Sequence, residues 1–192
     1  MKKLSGNKKT KTAIFISGRG SNLKNLIKFS KFKKSPIKID LVISNNRNSK
    51  GLQYTLQNKI EKKIINFNNI NKGEKKSLKI LSKKKIKLIC LAGFMKVLSK
   101  NFIKKFRGKI INIHPSLLPK YKGLNTHKRA LKNNENYSGC TVHYVTSKLD
   151  SGKIILQKKV RIKKNDTVYS LQKKILKEEY KIYPKAISKI LN

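Results

Sequence analysis

The amino-acid sequence predicts an α/β fold, a Rossmann-like, open, mostly parallel twisted sheet with helices on both faces. It also predicts mixed strands in the C-terminal part and a long C-terminal helix. Two observations lead to this prediction. Short apolar runs alternate with segments of helical periodicity through residues 1–113, an order typical of parallel sheets covered by helices. After residue 113 two strand-like runs follow each other directly, and residues 167–191 then have apolar positions at helical spacing.

The first predicted strand, 12–17, ends at a turn containing Gly18 and Gly20, and a helix is predicted over 22–32. Ser21 or Asn22 is the expected N-cap of this helix. The next elements keep the same order, with strands expected at 37–43, 63–67, 87–92 and 109–113 and helices at 50–58, 75–84 and 99–106.

The second half begins with a loop, 115–124, that contains two prolines and a glycine. The elements after it are a helix and two strands, expected at 125–133, 139–145 and 153–160. Asn165 or Asp166 is the expected cap of the final helix, and Pro184 is expected to bend or divide it. Residues 1–10 are polar and basic and are interpreted as a leader, which leaves a single domain over 11–192.

The composition supports a folded core and argues against a membrane or nucleic-acid role. Leu, Ile, Val and Phe supply 57 of 192 residues, which is enough for a core. Apolar stretches are too short to span a bilayer and no secretory signal is visible, so a cytoplasmic location is expected. The net charge is +41, but 44 residues are lysine and only five are arginine. Lysine, isoleucine and asparagine, whose codons are rich in A and T, supply 87 of 192 residues, so codon drift is expected to contribute to the charge. Nucleic-acid surfaces favour arginine, so no specific nucleic acid is predicted as a partner.

Few side chains are available for acid–base chemistry, since the chain has three histidines and eight acidic residues. Cys90 and Cys140 lie in predicted strands without metal-ligand spacing, so buried, reduced thiols and no metal site are expected. Proton transfer near neutral pH therefore depends on a histidine or on a carboxylate with a shifted pKa.

Asn112 and His114 form the first candidate site, at the carboxyl end of the fifth predicted strand. Ligands of open α/β sheets bind at this edge. The two residues are two positions apart on a strand, so both side chains point to the same side and can converge on one carbonyl group. The alternative is a strand end whose polar side chains satisfy loop backbone groups.

Asp150 is the second candidate, in the loop between the last two predicted strands. A loop aspartate is often a turn former, but a histidine that needs orientation requires a carboxylate of this kind. The other two histidines are weaker candidates for a catalytic role, since His143 alternates with apolar strand residues and His127 lies at a helix start.

The third candidate is the glycine turn between the first strand and the first helix, over residues 17–23. Backbone N–H groups and the positive end of a helix dipole suit a phosphate group at such a turn. The segment matches neither the P-loop nor the dinucleotide-binding glycine pattern. The alternative is a plain strand-to-helix turn.

Taken together, these segments resemble the formyl-folate transferase family, in particular its phosphoribosylglycinamide formyltransferase branch. The resemblance covers about residues 12–184 and rests on SGRGSNL at 17–23, LAGFMKVLS at 91–99, NIHPSLLPKYKGLNTH at 112–127, HYVTSKLDSGKIILQ at 143–157 and EEYKIYP at 178–184. The middle segment is specific for formyl-folate enzymes as a group.

The resemblance implies formyl transfer from 10-formyltetrahydrofolate, a co-substrate, to the amino group of glycinamide ribonucleotide in purine biosynthesis. It implies no metal, a monomer or weak homodimer, and two halves of the domain: 11–113 for the phosphate and 114–192 for folate and catalysis. The implied catalytic residues are Asn112, His114 and Asp150. The implied ribonucleotide contacts are Gly20, Ser21, Asn22 and Glu179, and the implied folate contacts are Lys96, Val97, Leu98, Val145 and Asp150.

Two departures from the family pattern stand out. The family often has arginine where Lys96 stands, which would remove a planar side-chain contact with folate but keep main-chain contacts. The chain ends at Asn192, earlier than many members, so a terminal strand or tail is expected to be missing.

Three alternatives are left open. A formyltetrahydrofolate hydrolase and a methionyl-tRNA formyltransferase resemble the chain around Asn112, His114 and Asp150, but both usually need an additional domain. A nucleic-acid-binding module is the third, although the lysines are spread through every predicted element rather than clustered on one.

Overall fold

The computed structural model describes residues 9–191, which form one seven-stranded sheet in the order β3-β2-β1-β4-β5-β6-β7. The strands are β1 Thr10–Ile16, β2 Ile37–Ser44, β3 Lys62–Ile64, β4 Leu88–Leu91, β5 Lys109–His114, β6 Tyr137–Tyr144 and β7 Ile154–Arg161. The helices are α1 Ser21–Lys31, α2 Gln53–Gln57, α3 Ile70–Lys83, α4 Lys100–Lys105, α5 Thr126–Lys132 and α6 Val168–Leu191, and a 3-10 turn spans Lys50–Leu52. The predicted fold class is confirmed; most of the predicted leader lies outside the described residues.

The first five strands pair in parallel, whereas β6 pairs antiparallel with both β5 and β7. The strand order reverses between β1 and β4, since the chain builds outward from β1 to β3 and then returns to the other side of β1. Ligands of open α/β sheets bind in the crevice at such a reversal, beyond the carboxyl ends of the strands. The loops after β1 and β4 flank this crevice.

Both faces of the central part of the sheet are buried, as the alternation in β1 illustrates. Ile14 and Ile16 belong to the core on the face covered by α1 and α6, and Ala13 and Phe15 to the core on the face covered by α3 and α4. All four side chains are inaccessible to solvent. A parallel sheet with both faces covered produces continuous apolar runs of this kind.

The two edge strands differ from the centre of the sheet in length or charge. β3 has only three residues, Lys62–Ile64, shorter than the predicted strand at 63–67. β7 presents Lys158, Lys159 and Arg161 as exposed side chains. The hydrogen-bonding edges of the sheet are thus short on one side and strongly basic on the other.

Several helix ends differ from the predictions because other residues cap them. The N-cap of α1 is Gly20, in a left-handed conformation with φ 73°, rather than Ser21 or Asn22. Asn69 caps α3 by accepting from the Lys72 N–H, so this helix begins five residues before its predicted start at 75. The predicted caps Asn165 and Asp166 are also wrong for α6: Thr167 and Ser170 exchange side chain to backbone hydrogen bonds of 3.1 and 3.0 Å in a reciprocal cap.

Pro184 does not divide α6, which runs without interruption from Val168 to Leu191. A proline inside a helix leaves the carbonyl four residues earlier without its N–H partner. That carbonyl belongs to Tyr180, and it accepts a hydrogen bond of 2.9 Å from the side-chain amide of Asn25 in α1. The contact between α1 and α6 therefore supplies the donor that proline lacks.

Cys90 and Cys140 are buried free thiols, as predicted, and burial raises the pKa of both. Neither thiol is in the thiolate form at neutral pH, so neither is a reactive nucleophile. Among the helices that the structure describes, we find none with the length and hydropathy needed to cross a membrane.

Candidate active site

Asp150 lies between two histidine side chains in a buried cluster. Its Oδ2 is 3.4 Å from Nδ1 of His114, and its Oδ1 is 3.6 Å from Nε2 of His143. The amide Nδ2 of Asn112 lies 3.2 Å from the same nitrogen of His143. The structure therefore brings together the three predicted residues Asn112, His114 and Asp150, and adds His143 to them.

Strand pairing explains why these side chains meet. Asn112 and His114 alternate along β5, and His143 is the direct partner of Asn112 in the antiparallel β5–β6 pair. Side chains of directly opposed residues lie on the same face of a sheet within about 5.5 Å of each other. Asp150 approaches from the loop between β6 and β7 and has a positive φ of 44°, a conformation that aspartate tolerates better than most residues.

Backbone carbonyls select the tautomer of each histidine. Nδ1 of His143 is 2.8 Å from the Tyr144 carbonyl, so it donates, which leaves Nε2 free to accept from the amide of Asn112. Nε2 of His114 is 2.9 Å from the Tyr121 carbonyl and carries a proton in the same way. The nitrogen of His114 that can take up a proton is therefore Nδ1, which faces Asp150.

The pKa shifts make this cluster a proton acceptor at neutral pH. Burial lowers the pKa of His114, and this outweighs the Tyr121 carbonyl and Asp150, which both raise it. Burial raises the pKa of Asp150, but the neighbouring His143 imidazole and the Gly123 N–H, which donates to Oδ2 at 2.9 Å, outweigh burial and lower the pKa overall. A neutral imidazole thus stands beside an ionised carboxylate.

The loop between β5 and α5 supports both His114 and Asp150. It supplies the Tyr121 carbonyl to the first and the Gly123 N–H to the second. Arg129 of α5 stacks on the Tyr121 ring at 5.1 Å and donates to the Lys122 carbonyl at 2.7 Å. Residues outside the cluster thereby hold the backbone groups that orient it.

A pocket opens beside the cluster, and Asn112, His143 and Asp150 form part of its lining. All the predicted folate contacts contribute to its lining: Lys96, Val97, Leu98, Val145 and Asp150. Leu98 is buried, and the segment ends at Ser99, whose backbone N–H donates to the buried Glu74 carboxylate at 2.7 Å. An apolar slot with a few convergent polar groups is the usual form of a small-molecule site.

The glycine turn after β1 forms a second region at the same sheet edge. Gly20 precedes α1, and Ser21 and Asn22 are the first two residues of that helix. The first N–H groups of a helix have no partner within it, so they are available to an anion. The side-chain amide of Asn22 donates to Oε2 of Glu179 in α6 at 2.7 Å. The structure thus brings together all four predicted ribonucleotide contacts.

Glu179 is 7% exposed, and burial raises its pKa to about 7 despite the hydrogen bond from Asn22. An ordinary glutamate in an unfolded chain has a pKa near 4.5. Between these two values the folded protein binds more protons than the unfolded chain, so stability falls as the pH rises.

We expect the wild-type protein to lose about 2 kcal/mol of unfolding free energy between pH 5 and pH 7.5, relative to Glu179→Gln. Glutamine keeps an oxygen that can accept from Asn22 but does not titrate. Urea unfolding of both proteins at the two pH values measures the difference. Identical pH dependence in the two proteins would show that Glu179 titrates normally.

The remaining histidine, His127, lies in the first turn of α5, where burial lowers its pKa. Sequence reasoning ranked it together with His143, and the structure separates the two. The signal that distinguishes His143 is its register opposite Asn112, and local sequence does not specify a register between strands so distant in the chain.

Comparison with known proteins gives a consistent result. Residues 10–187 match the family model described as formyl transferase. The chain is 41% identical over 180 residues to phosphoribosylglycinamide formyltransferase of Haemophilus influenzae, covering 92% of this chain and 85% of that protein. It is 42% identical over 183 residues to the human trifunctional purine biosynthetic protein adenosine-3, covering 94% of this chain but 18% of that protein.

Solved structures resemble the chain over most of its length. Phosphoribosylglycinamide formyltransferase from Brucella melitensis is 38% identical, with a TM-score of 0.91 and coverage of 96% of both chains. The enzyme from Anaplasma phagocytophilum is 39% identical, with a TM-score of 0.90, and the match covers 96% of this chain and 87% of that one.

Proposed function

The chain belongs to the formyl transferase family, and on that basis we propose that it transfers the formyl group of 10-formyltetrahydrofolate to the amino group of glycinamide ribonucleotide. The products are formylglycinamide ribonucleotide and tetrahydrofolate, in purine biosynthesis. The main supporting observation is Asp150 placed between His114 and His143, with the Asn112 amide beside them at the wall of a pocket.

The pocket beside the cluster suits the ring system of formyl-folate. Its apolar lining includes Leu91, Leu98 and Val145, and its polar lining includes Asn112, His143 and Asp150 of the cluster. Lys96 replaces the arginine that the family often has here, so we assign recognition of the ring edge to main-chain groups of residues 96–98. Asp150 then serves both the folate pocket and the cluster.

The glycine turn suits the phosphate of glycinamide ribonucleotide. Gly20, Ser21 and Asn22 offer backbone N–H groups at the positive end of the α1 dipole. Glu179 faces the glycinamide end of the same substrate and is held there by Asn22. The two substrates approach the cluster from opposite sides, one from each region.

Transfer begins when the amine of the ribonucleotide attacks the formyl carbon and a new C–N bond forms. The formyl oxygen becomes negative and accepts a hydrogen bond from Nδ2 of Asn112, which His143 orients through its acceptor nitrogen. The proton of the attacking amine passes to the pair formed by His114 and Asp150. The bond to N10 of the folate then breaks, and N10 takes a proton from this pair.

The first experiment measures formyl transfer from 10-formyltetrahydrofolate with and without glycinamide ribonucleotide. The absorbance of the deformylated folate monitors the reaction. Product that depends on the ribonucleotide would support the transferase. Product without it would indicate a hydrolase. No product in either case would contradict the proposed transferase and favour the methionyl-tRNA formyltransferase or the nucleic-acid-binding alternative.

The charge of +41 should affect the rate, because both substrates are anionic. A positive field speeds the encounter with anions, and salt screens it. We expect kcat/KM to be about tenfold lower at 0.5 M than at 0.05 M potassium chloride. Melting curves at both salt concentrations serve as the control for folding, and an unchanged kcat/KM would argue against electrostatic steering.

We further propose that the enzyme acts in the cytoplasm as a monomer or weak homodimer, without a specific nucleic acid or membrane partner. Sedimentation at several protein concentrations measures the oligomeric state directly. A stable higher oligomer at low concentration would contradict this part of the proposal.

A further inference from the structure

The loop after β2, residues 45–51, lies against the glycine turn and has no role in the proposed mechanism. Two groups of this loop donate to the same acceptor, the Gly18 carbonyl: the Ser49 hydroxyl at 2.7 Å and the Gly51 N–H at 3.0 Å. Ser49 is 5% exposed. A buried serine and a backbone N–H are therefore both directed at one peptide group of the glycine turn.

Gly51 also contacts the turn through its backbone. A Cβ atom at Gly51 would lie 2.8 Å from Cα of Gly20, and one at Gly20 would lie 2.5 Å from Cα of Gly51. Both distances are shorter than real Cβ contacts allow, so the two backbones meet at a distance that only glycine permits. Gly20 is the N-cap of α1 and has a φ of 73°, so this contact lies where an anion would meet the helix.

The direction of the Gly18 carbonyl matters for anion binding. A carbonyl oxygen facing a phosphate repels it, whereas N–H groups that converge on it form an anion-binding concavity. In a trans peptide the C=O and N–H point in opposite directions. Because Ser49 and Gly51 hold the Gly18 carbonyl toward the β2 loop, the N–H of Arg19 points away from that loop.

We propose that Ser49 and Gly51 are positioning residues for phosphate binding, which they support by fixing the orientation of the Gly18–Arg19 peptide. They act through the glycine turn and do not touch the substrate. This inference rests on the proposed function, since it takes glycinamide ribonucleotide as the phosphate-bearing ligand of the turn.

Ser49→Ala is the principal test, because it removes one donor to Gly18 and adds no bulk. We expect the KM for glycinamide ribonucleotide to rise about fivefold, the effect of one net hydrogen bond. Its Kd from calorimetry without folate should rise equally, whereas kcat and the KM for formyl-folate stay unchanged. Ser49→Thr retains the hydroxyl and should restore most of the affinity.

Ser77→Ala is the matched control. Ser77 is a fully buried serine whose hydroxyl donates to a glycine carbonyl, that of Gly73, at 2.8 Å within α3. It should leave both KM values unchanged. Gly51→Ala should have a larger effect on ribonucleotide affinity than Ser49→Ala, about tenfold or more, since the added methyl group displaces the turn.

An unchanged Kd for the ribonucleotide in Ser49→Ala would overturn the positioning role, as would equal increases in both KM values. If the wild type binds the ribonucleotide but does not formylate it, the proposed function fails, and the Kd comparison still decides the positioning role. If the wild type neither binds nor formylates it, both fail. A loss of kcat without a change in ribonucleotide affinity would also contradict the inference.

Discussion

Replacing Asp150 by asparagine is expected to lower kcat by roughly 10²–10⁴, the usual contribution of a positioned acid–base group. Asparagine has the same shape, and its oxygen can still accept the Gly123 N–H that now lies 2.9 Å from Oδ2. It cannot take the proton of the attacking amine through His114. Its neutral amide also stabilises a protonated imidazole less than a carboxylate does. The chemical step should therefore slow while the loop keeps its place.

The KM values for both substrates should change by less than about threefold, because asparagine keeps the shape of the pocket wall and the main loss falls in the transition state. Asp40→Asn is a suitable control, because Asp40 is a half-buried aspartate of β2 that takes no part in the cluster and pairs with the exposed Lys38 at 3.4 Å. Initial rates at saturating concentrations of both substrates measure the effect. An Asp150→Asn enzyme with more than a tenth of the wild-type kcat would remove Asp150 from proton transfer.

Asn112→Ala should have the second largest effect, a fall in kcat of roughly 10²–10³, as found when one oxyanion donor is removed. Nδ2 of Asn112 lies 3.2 Å from the acceptor nitrogen of His143. One Nδ2 hydrogen is therefore donated to His143, and this bond fixes the orientation of the amide, so the second hydrogen remains for the formyl oxygen. Alanine removes the donor that meets the developing negative charge on the formyl oxygen. Ground-state binding loses little, because the neutral carbonyl of the substrate accepts more weakly.

Asn58→Ala provides the comparison for this variant. Asn58 follows α2, and its side-chain amide also makes a single hydrogen bond, to the Tyr54 carbonyl at 2.8 Å. It should retain wild-type kcat. If Asn112→Ala raises KM and leaves kcat unchanged, Asn112 binds substrate without stabilising the transition state.

The strands of the parallel region could be predicted because their physical signal is local. Residues 13–16 of β1, 41–44 of β2 and all of β4 are buried on both faces, and such segments appear in the sequence as mainly apolar runs. Asn112 and His114 could be placed together for a similar reason, since alternation along one strand is a property of the strand itself. Site residues whose placement depends on one strand or helix alone could therefore be predicted from the sequence.

Features that depend on distant contacts could not be predicted in this way. His143 joins the cluster through its register with Asn112, and the two residues are 31 positions apart. Pro184 stays inside a continuous helix because Asn25, in another helix, supplies a donor to Tyr180. The tautomers of both histidines likewise depend on backbone carbonyls that only the folded loops bring into place.

The lysines at the two margins of the sheet affect behaviour in concentrated solution. An unpaired strand edge is a template on which a second chain can add a strand, and edge lysines oppose this because identical edges then repel each other. Here β3 offers only three residues for such pairing, and β7 presents Lys158 and Lys159 along its free side. The lysines of these two edge strands should therefore disfavour strand pairing between copies of the chain.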